Sequence, residues 1–88
     1  MGIKTVAVIG AGTMGAGIAQ VCAQAGWKTN LYDAFPEGLE KGIATIDNFW
    51  DKGIARGKTT SEQKIEWGAN LHTFTIMEDA VNDVDLVI

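Results

Sequence analysis

Apolar and polar positions follow two different periods along this chain. Residues 3–9 end in four consecutive apolar positions, Val6, Ala7, Val8 and Ile9. An unbroken run of this kind marks a parallel strand covered on both faces, so a first strand is predicted there. Residues 10–15 form a glycine-rich turn. Over residues 13–25 the spacing becomes helical, with Gly15, Ile18, Ala19 and Cys22 at i, i+3, i+4 and i+7. Gly26 stands where a helix C-terminus takes a left-handed residue. Residues 28–33 read as a second short strand. Pro36 suits the first turn of a second helix. The apolar face of that helix is Leu39, Ile43, Ile46 and Trp50, and its end is expected near Ile54. Thr60 with Gln63 makes a capping box for a short helix to about Trp67, stopped by Gly68. Residues 71–75 predict a third strand. Thr75 with Glu78 offers a second capping box, opening one helical turn through Val81. Residues 85–88 begin a fourth strand, expected to be buried on both faces.

Strands alternating with helices imply a parallel sheet with right-handed crossovers. The predicted class is α/β, a Rossmann-type parallel sheet of order 3-2-1-4, incomplete at the C-terminus. Residues 1–88 would then be the N-terminal portion of a dinucleotide-binding domain, with an exposed apolar sheet edge. At 88 residues the chain is one domain at most. Hydrophobic residues make up 47%, too many for a disordered segment. The net charge of −4 argues against a nucleic-acid partner. The single cysteine, Cys22, permits no internal disulfide and suits a reducing compartment. The apolar run at 6–9 is too short for a signal peptide or a membrane span. The expected setting is the cytoplasm, without a membrane partner.

The chemistry lies in Gly10-Ala11-Gly12-Thr13-Met14-Gly15, which fits G-x-G-x-x-G. The pattern alone is weak. Here it follows an apolar strand and opens a helix, the setting that makes it a dinucleotide fingerprint. Gly10 permits the tight turn, Gly12 leaves room for a pyrophosphate, and Gly15 lets helix and strand lie close. The N–H groups around Thr13 and Met14 would face the phosphate charge. Asp33 lies 23 residues after Gly10, at the end of the second strand. A carboxylate there can bind both hydroxyls of an adenosine ribose. Ala34 and Phe35 carry no positive charge that could receive a 2′-phosphate, so the expected cofactor is NAD rather than NADP. The plain alternative is a loop serving only packing and an Asp that caps a helix.

With those residues in place, the chain resembles the N-terminal part of L-3-hydroxyacyl-CoA dehydrogenases, including 3-hydroxybutyryl-CoA dehydrogenases. The resemblance runs through V-A-V-I-G-A-G-T-M-G-A-G-I-A-Q at 6–20, L-Y-D at 31–33, A-R-G-K at 55–58 and D-V-D-L-V-I at 83–88. Its most specific part is M-G-A-G-I-A-Q, which lambda-crystallin-like sugar dehydrogenases share in part. The resemblance implies hydride transfer between NAD and an L-3-hydroxyacyl-CoA, in an enzyme that forms a homo-oligomer at full length. It implies cofactor contacts at Gly10, Ala11, Gly12, Thr13, Met14, Gly15 and Asp33. It also implies an acyl-CoA contact at Arg56, near the end of the long second helix. Phe49 stands where the family carries a serine, which removes part of that contact. The family's catalytic histidine and glutamate match no position of this chain, nor does its C-terminal helical domain.

The remaining candidates have plainer readings. His72, the one histidine, falls on the third strand and reads as structural or solvent-facing. Cys22 sits on the apolar stripe of the first helix and reads as a small core residue. No His/Cys/Asp cluster has metal-ligand spacing. Lys52, Arg56, Lys58 and Lys64 make residues 52–64 locally basic, either a solvated helix end or a surface for CoA phosphates. Two functional classes remain: part of a dehydrogenase, or a non-catalytic nucleotide-binding module.

Overall fold

The computed structural model describes residues 4–88. Four parallel strands, β1 (Thr5–Ile9), β2 (Lys28–Tyr32), β3 (Leu71–Phe74) and β4 (Leu86–Val87), form one sheet in the order β3-β2-β1-β4. The predicted topology holds. Helices α1 (Thr13–Gln24), α2 (Pro36–Ala55), α3 (Ser61–Ala69) and α4 (Met77–Val81) fill the connections.

Strand alternation divides the core between two faces. Val6 and Val8 of β1 and Leu31 of β2 point to one face, where they pack on Ala16, Ala19, Cys22 and Ala23 of α1 and on Leu39, Ile46 and Trp50 of α2. Alanines on α1 bring the helix backbone close to the sheet. Cys22 is therefore a core residue, and burial pushes its thiol pKa up, away from the reactive thiolate. Ala7 and Asn30 are buried, and the Asn30 Nδ2 donates to the Ala80 carbonyl of α4 at 2.9 Å. α4 is thus the element over the opposite face of the sheet.

Helix ends follow local chemistry where that chemistry is strong. At the end of α1, Gly26 has φ 90°, and the Gly26 and Trp27 N–H groups donate back to Ala23 and Cys22. This is the Schellman arrangement. The Thr60–Gln63 capping box forms with both of its hydrogen bonds.

Four expectations need correction. The first strand begins at Thr5; Ile3 lies outside the described residues. Gly68 does not stop α3, which continues to Ala69 with Asn70 as its cap. Asn70 is pinned from outside the helix: its Nδ2 donates to the Ala23 carbonyl, and its own carbonyl accepts from Thr29. The second capping box is absent, because α4 starts after Ile76 with no side-chain cap. The Asp33 N–H holds the Phe74 carbonyl in the strand ladder, so the chain turns one residue later than a box at Thr75 requires. Finally, β4 is the exposed apolar edge expected, but it is not buried on both faces. Leu86, Val87 and Ile88 are 37%, 51% and 46% exposed, since β4 has a strand on one side only. Backbone hydrogen bonds from Asp85 to Thr5, Ile88 to Ala7 and Ile9 to Ile88 extend its pairing over 85–88.

Trp50 joins three helices. Its ring is 2% exposed, its Nε1 donates to Gln24 Oε1 of α1 at 3.0 Å, and it packs against Trp67 of α3 with centroids 5.7 Å apart. α3 has no fully buried residue of its own, so this contact supplies apolar anchoring beside the Asn70 hydrogen bonds and the Lys64 ion pairs. Trp50→Ala should cost about 3–5 kcal/mol, a large share of the roughly 5–15 kcal/mol available to a domain. Urea unfolding checks this, and a loss below about 1 kcal/mol would show that the three helices are held elsewhere.

Candidate dinucleotide site

The glycine loop bridges β1 and α1 at the C-terminal edge of the sheet. Gly10 has φ 94°, a left-handed conformation that side chains resist, and its N–H donates to the Tyr32 carbonyl. A Cβ on Gly15 would overlap the Gly10 carbonyl, so this position holds helix and loop together. Gly12 differs. Its φ is −65°, open to any residue, and a Cβ there would meet no protein atom within 4 Å. Nothing in the packing of the chain requires a glycine at this position. The open space beside it is what a ligand approaching the backbone needs.

Gly12 is also the N-cap of α1, and it has no side chain to cap the first turn. The Ala16 N–H bonds the Gly12 carbonyl, the first helical bond, which leaves the Thr13, Met14 and Gly15 N–H groups without intrahelical partners. The first turn contains no acidic residue. Gly12, Thr13 and Met14 are all exposed. Unpaired N–H groups and the positive end of a helix dipole together form an anion-binding end.

Asp33 follows β2 and ties this loop to α2. Its Oδ2 accepts the Ala11 N–H at 3.1 Å and its Oδ1 accepts the Phe35 N–H at 2.9 Å. Ala11 is buried, so its part is to place the loop rather than to offer a free N–H. The Phe35 hydrogen bond, then the Ala11 one, lowers the Asp33 pKa. The stability this carboxylate adds is present above the ordinary aspartate pKa and is lost as pH falls through the lowered value. At neutral pH it is ionised. A carboxylate accepts about four hydrogen bonds, so two backbone donors leave capacity for a pair of hydroxyls.

Two further residues shape the site and escaped the sequence reading. A Cβ on Gly38 would lie 2.8 Å from Asp33 Oδ2, and one on Gly42 would lie 2.9 Å from the Ala11 carbonyl. Spaced i, i+4, these glycines let α2 lie against both Asp33 and the loop. The signal was there in the form of two glycines within a helix, where each costs up to about 1 kcal/mol relative to alanine.

The other candidates lie apart. Arg56 caps the far end of α2 and is exposed. From Gly42, beside the loop, it is about 20 Å further along the helix axis at 1.5 Å per residue. Phe49 is 59% exposed and lines a cleft of about 290 Å³ with Thr13, Gly17, Gln20, Thr45, Asn48 and Lys52. The basic stretch is weaker than its composition implies, since the Lys64 Nζ pairs with Asp51 at 2.8 Å and Asp47 at 3.8 Å. His72 is exposed on β3, opposite Asn30 in register. No group of three potential metal ligands occurs among the described residues, and none of their helices is long and apolar enough to cross a membrane.

A parallel sheet of order 3-2-1-4 with a glycine loop, an uncapped helix start and an acidic residue after β2 defines a dinucleotide-binding domain. Residues 5–88 match the family model described as 3-hydroxyacyl-CoA dehydrogenase, NAD binding domain. The chain belongs to this family, and its cofactor is NAD. It is 38% identical over 86 residues to the fatty acid oxidation complex subunit alpha of Idiomarina loihiensis, covering 98% of this chain and 12% of that protein. It is likewise 38% identical over 86 residues to 3-hydroxybutyryl-CoA dehydrogenase of Bradyrhizobium diazoefficiens, covering 98% of this chain and 29% of that one. The crystal structure of 3-hydroxybutyryl-CoA dehydrogenase from Escherichia coli K12 superposes with a TM-score of 0.92 at 40% identity, over 99% of this chain and 18% of that chain.

The glycines make opposite predictions. Gly12→Val should abolish NAD binding and leave the unfolding midpoint almost unchanged. Gly15→Ala should destabilise the fold by on the order of 3 kcal/mol, because backbone must move. Calorimetric NAD titration alongside thermal unfolding separates the two; equal effects on stability would contradict the distinction.

Proposed function

We propose that this chain is the N-terminal portion of the NAD-binding domain of an enzyme that transfers hydride between NAD and an L-3-hydroxyacyl-CoA. The carrying observation is the open space at Gly12, beside uncapped N–H groups and a loop tied to Asp33. Similarity to 3-hydroxybutyryl-CoA dehydrogenases at 38–40% identity supports the substrate class. NAD, when bound, supplies the hydride acceptor for the hydroxyl-bearing carbon. The Thr13 and Met14 N–H groups receive the pyrophosphate, while Gly10, Ala11 and Gly15 hold the loop in shape. Asp33 takes the ribose hydroxyls. Arg56 takes part in acyl-CoA binding, aided by Lys52 and Lys58.

None of these residues is a general base for the hydroxyl proton, so the 88 residues alone bind the ADP half without turnover. The exposed apolar residues of β4 favour further covering elements in the whole enzyme, which works in the cytoplasm as a homo-oligomer. The lone buried Cys22 suits that compartment.

Asp33 sets the choice of cofactor. A 2′-phosphate would meet its ionised carboxylate, so the wild-type protein should prefer NAD. Asp33→Ala should lower NAD affinity roughly ten- to a hundredfold, the worth of a charge-assisted hydrogen bond, and narrow the preference over NADP. Titration of both cofactors decides it, and a wild-type preference for NADP would remove Asp33 from this role. In the whole enzyme, Arg56→Ala should raise KM for acetoacetyl-CoA in the NADH-dependent reduction while leaving NAD affinity unchanged. An unchanged KM at low salt would return Arg56 to the solvated surface.

A further inference from the structure

The α1–α2 groove carries a cation at its loop end that the dinucleotide fingerprint does not include. Lys41, Thr45, Asn48 and Lys52 recur at i, i+4, i+7 and i+11, which places them along one face of α2. On α1, Thr13, Gly17 and Gln20 recur at i, i+4 and i+7. Two adjoining clefts, of about 410 Å³ and 290 Å³, lie between these stripes and share Thr13, Thr45 and Asn48. They form one groove of mixed lining, with Phe49 at its far end. Its larger part opens on the glycine loop and is lined by Ala11, Gly12, Thr13, Lys41, Thr45 and Asn48. Lys41 is therefore on the wall of the same cleft as the two residues whose backbone borders the open space at Gly12.

The charges at this end of the site are unbalanced without it. Residues 10–15 contain no charged side chain, and the first turn of α1 has none either. Asp33 adds a full negative charge to the loop through its bond to Ala11. A helix N-terminus contributes roughly half an elementary charge, too little to offset both a dianionic pyrophosphate and that carboxylate. Among the described residues the only ion pairs are those of Lys64, so the Lys41 ammonium is not committed to an acid. Glu37, one turn earlier on α2, is the nearest acid on its own helical face in sequence. On the adjoining face of α2, a cleft of about 360 Å³ includes Glu40 and Asp47 in its lining and would repel a phosphate.

We propose that Lys41 is a cofactor-binding residue whose ammonium reaches across this cleft to the pyrophosphate of NAD, beside Gly12 and the N–H groups that open α1. It rests on the NAD site described above. Lys41 acts as a point charge on a flexible stem, so it adds affinity for the phosphates and none for the adenosine. The Asp33 carboxylate can then hold the ribose without repelling the pyrophosphate next to it.

The test is calorimetric titration of the protein with NAD, ADP-ribose and adenosine, at low ionic strength and in about 0.5 M salt. Lys41→Gln should weaken NAD and ADP-ribose binding by roughly three- to tenfold at low salt. At high salt the loss should fall below about twofold, because the screening length is then only a few ångströms. Adenosine affinity should not change, and Lys41→Arg should restore most of the NAD affinity. Lys41 is exposed, so Lys41→Gln should leave the thermal midpoint where it was. Unchanged NAD affinity at low salt, or equal losses for adenosine and ADP-ribose, would overturn the assignment. So would unchanged NAD binding together with a raised KM for acetoacetyl-CoA in the whole enzyme, which would make Lys41 part of the substrate's site. Wild-type protein that bound no NAD would instead overturn the cofactor site itself.

Discussion

A single carboxylate joins the two loops on which the nucleotide end of this sheet depends. Asp33 accepts one N–H from Ala11 in the glycine loop and one from Phe35 at the start of α2. Both loops leave neighbouring parallel strands at their C-terminal ends, where the backbone has used up its ladder partners and would otherwise be free to splay. Asp33 between them ties the loop to the start of α2. The two backbone bonds also lower the carboxylate's pKa, favouring the ionised state that can accept a ribose hydroxyl pair. Structural and ligand-binding roles thus fall on the same atoms.

Close approach of α2 completes that link. Gly38 and Gly42 remove the side chains that would otherwise hold α2 away from Asp33 and Ala11. The helix then runs past the loop and presents a polar stripe to α1 instead of an apolar seam. On another face Leu39, Ile46 and Trp50 join the core formed with the sheet and α1. One helix therefore contributes a groove wall on one face and a packing anchor on another.

The two sides of the sheet are unequally covered. α1 and α2 bury one face over β1 and β2, whereas α4, five residues long, is the described helix over the other. Ile76, Met77 and Val87 remain exposed, and Leu86 and Ile88, which alternate to the other face, are exposed at the sheet edge. β4 itself is held to β1 by backbone bonds and by Asp85, whose Oδ2 accepts the Lys4 and Thr5 N–H groups. A strand position can thus be secured largely by hydrogen bonds while its apolar side chains stay half in solvent.

Much of this was legible in residue order because it depends on local rules. The run 6–9, the G-x-G-x-x-G loop, Gly26 after α1, Pro36 at the start of α2 and the Thr60–Gln63 box each act within a few residues. Parallel connections with one allowed handedness then leave 3-2-1-4 as the natural sheet order. The sequence by itself therefore determined the elements, the sheet and the loop with its acidic partner. Tertiary structure alone decided the rest, because the rest depends on contacts between residues far apart in the chain. Asn70, pinned to Ala23 and Thr29, overrode the helix stop at Gly68. The Asp33–Phe74 bond removed the Thr75 capping box. Lys64 was taken out of the basic stretch by acids on a different helix. Gly38 and Gly42 acquired a purpose only when α2 was laid against the loop, since a missing side chain has meaning only through what occupies the space it leaves.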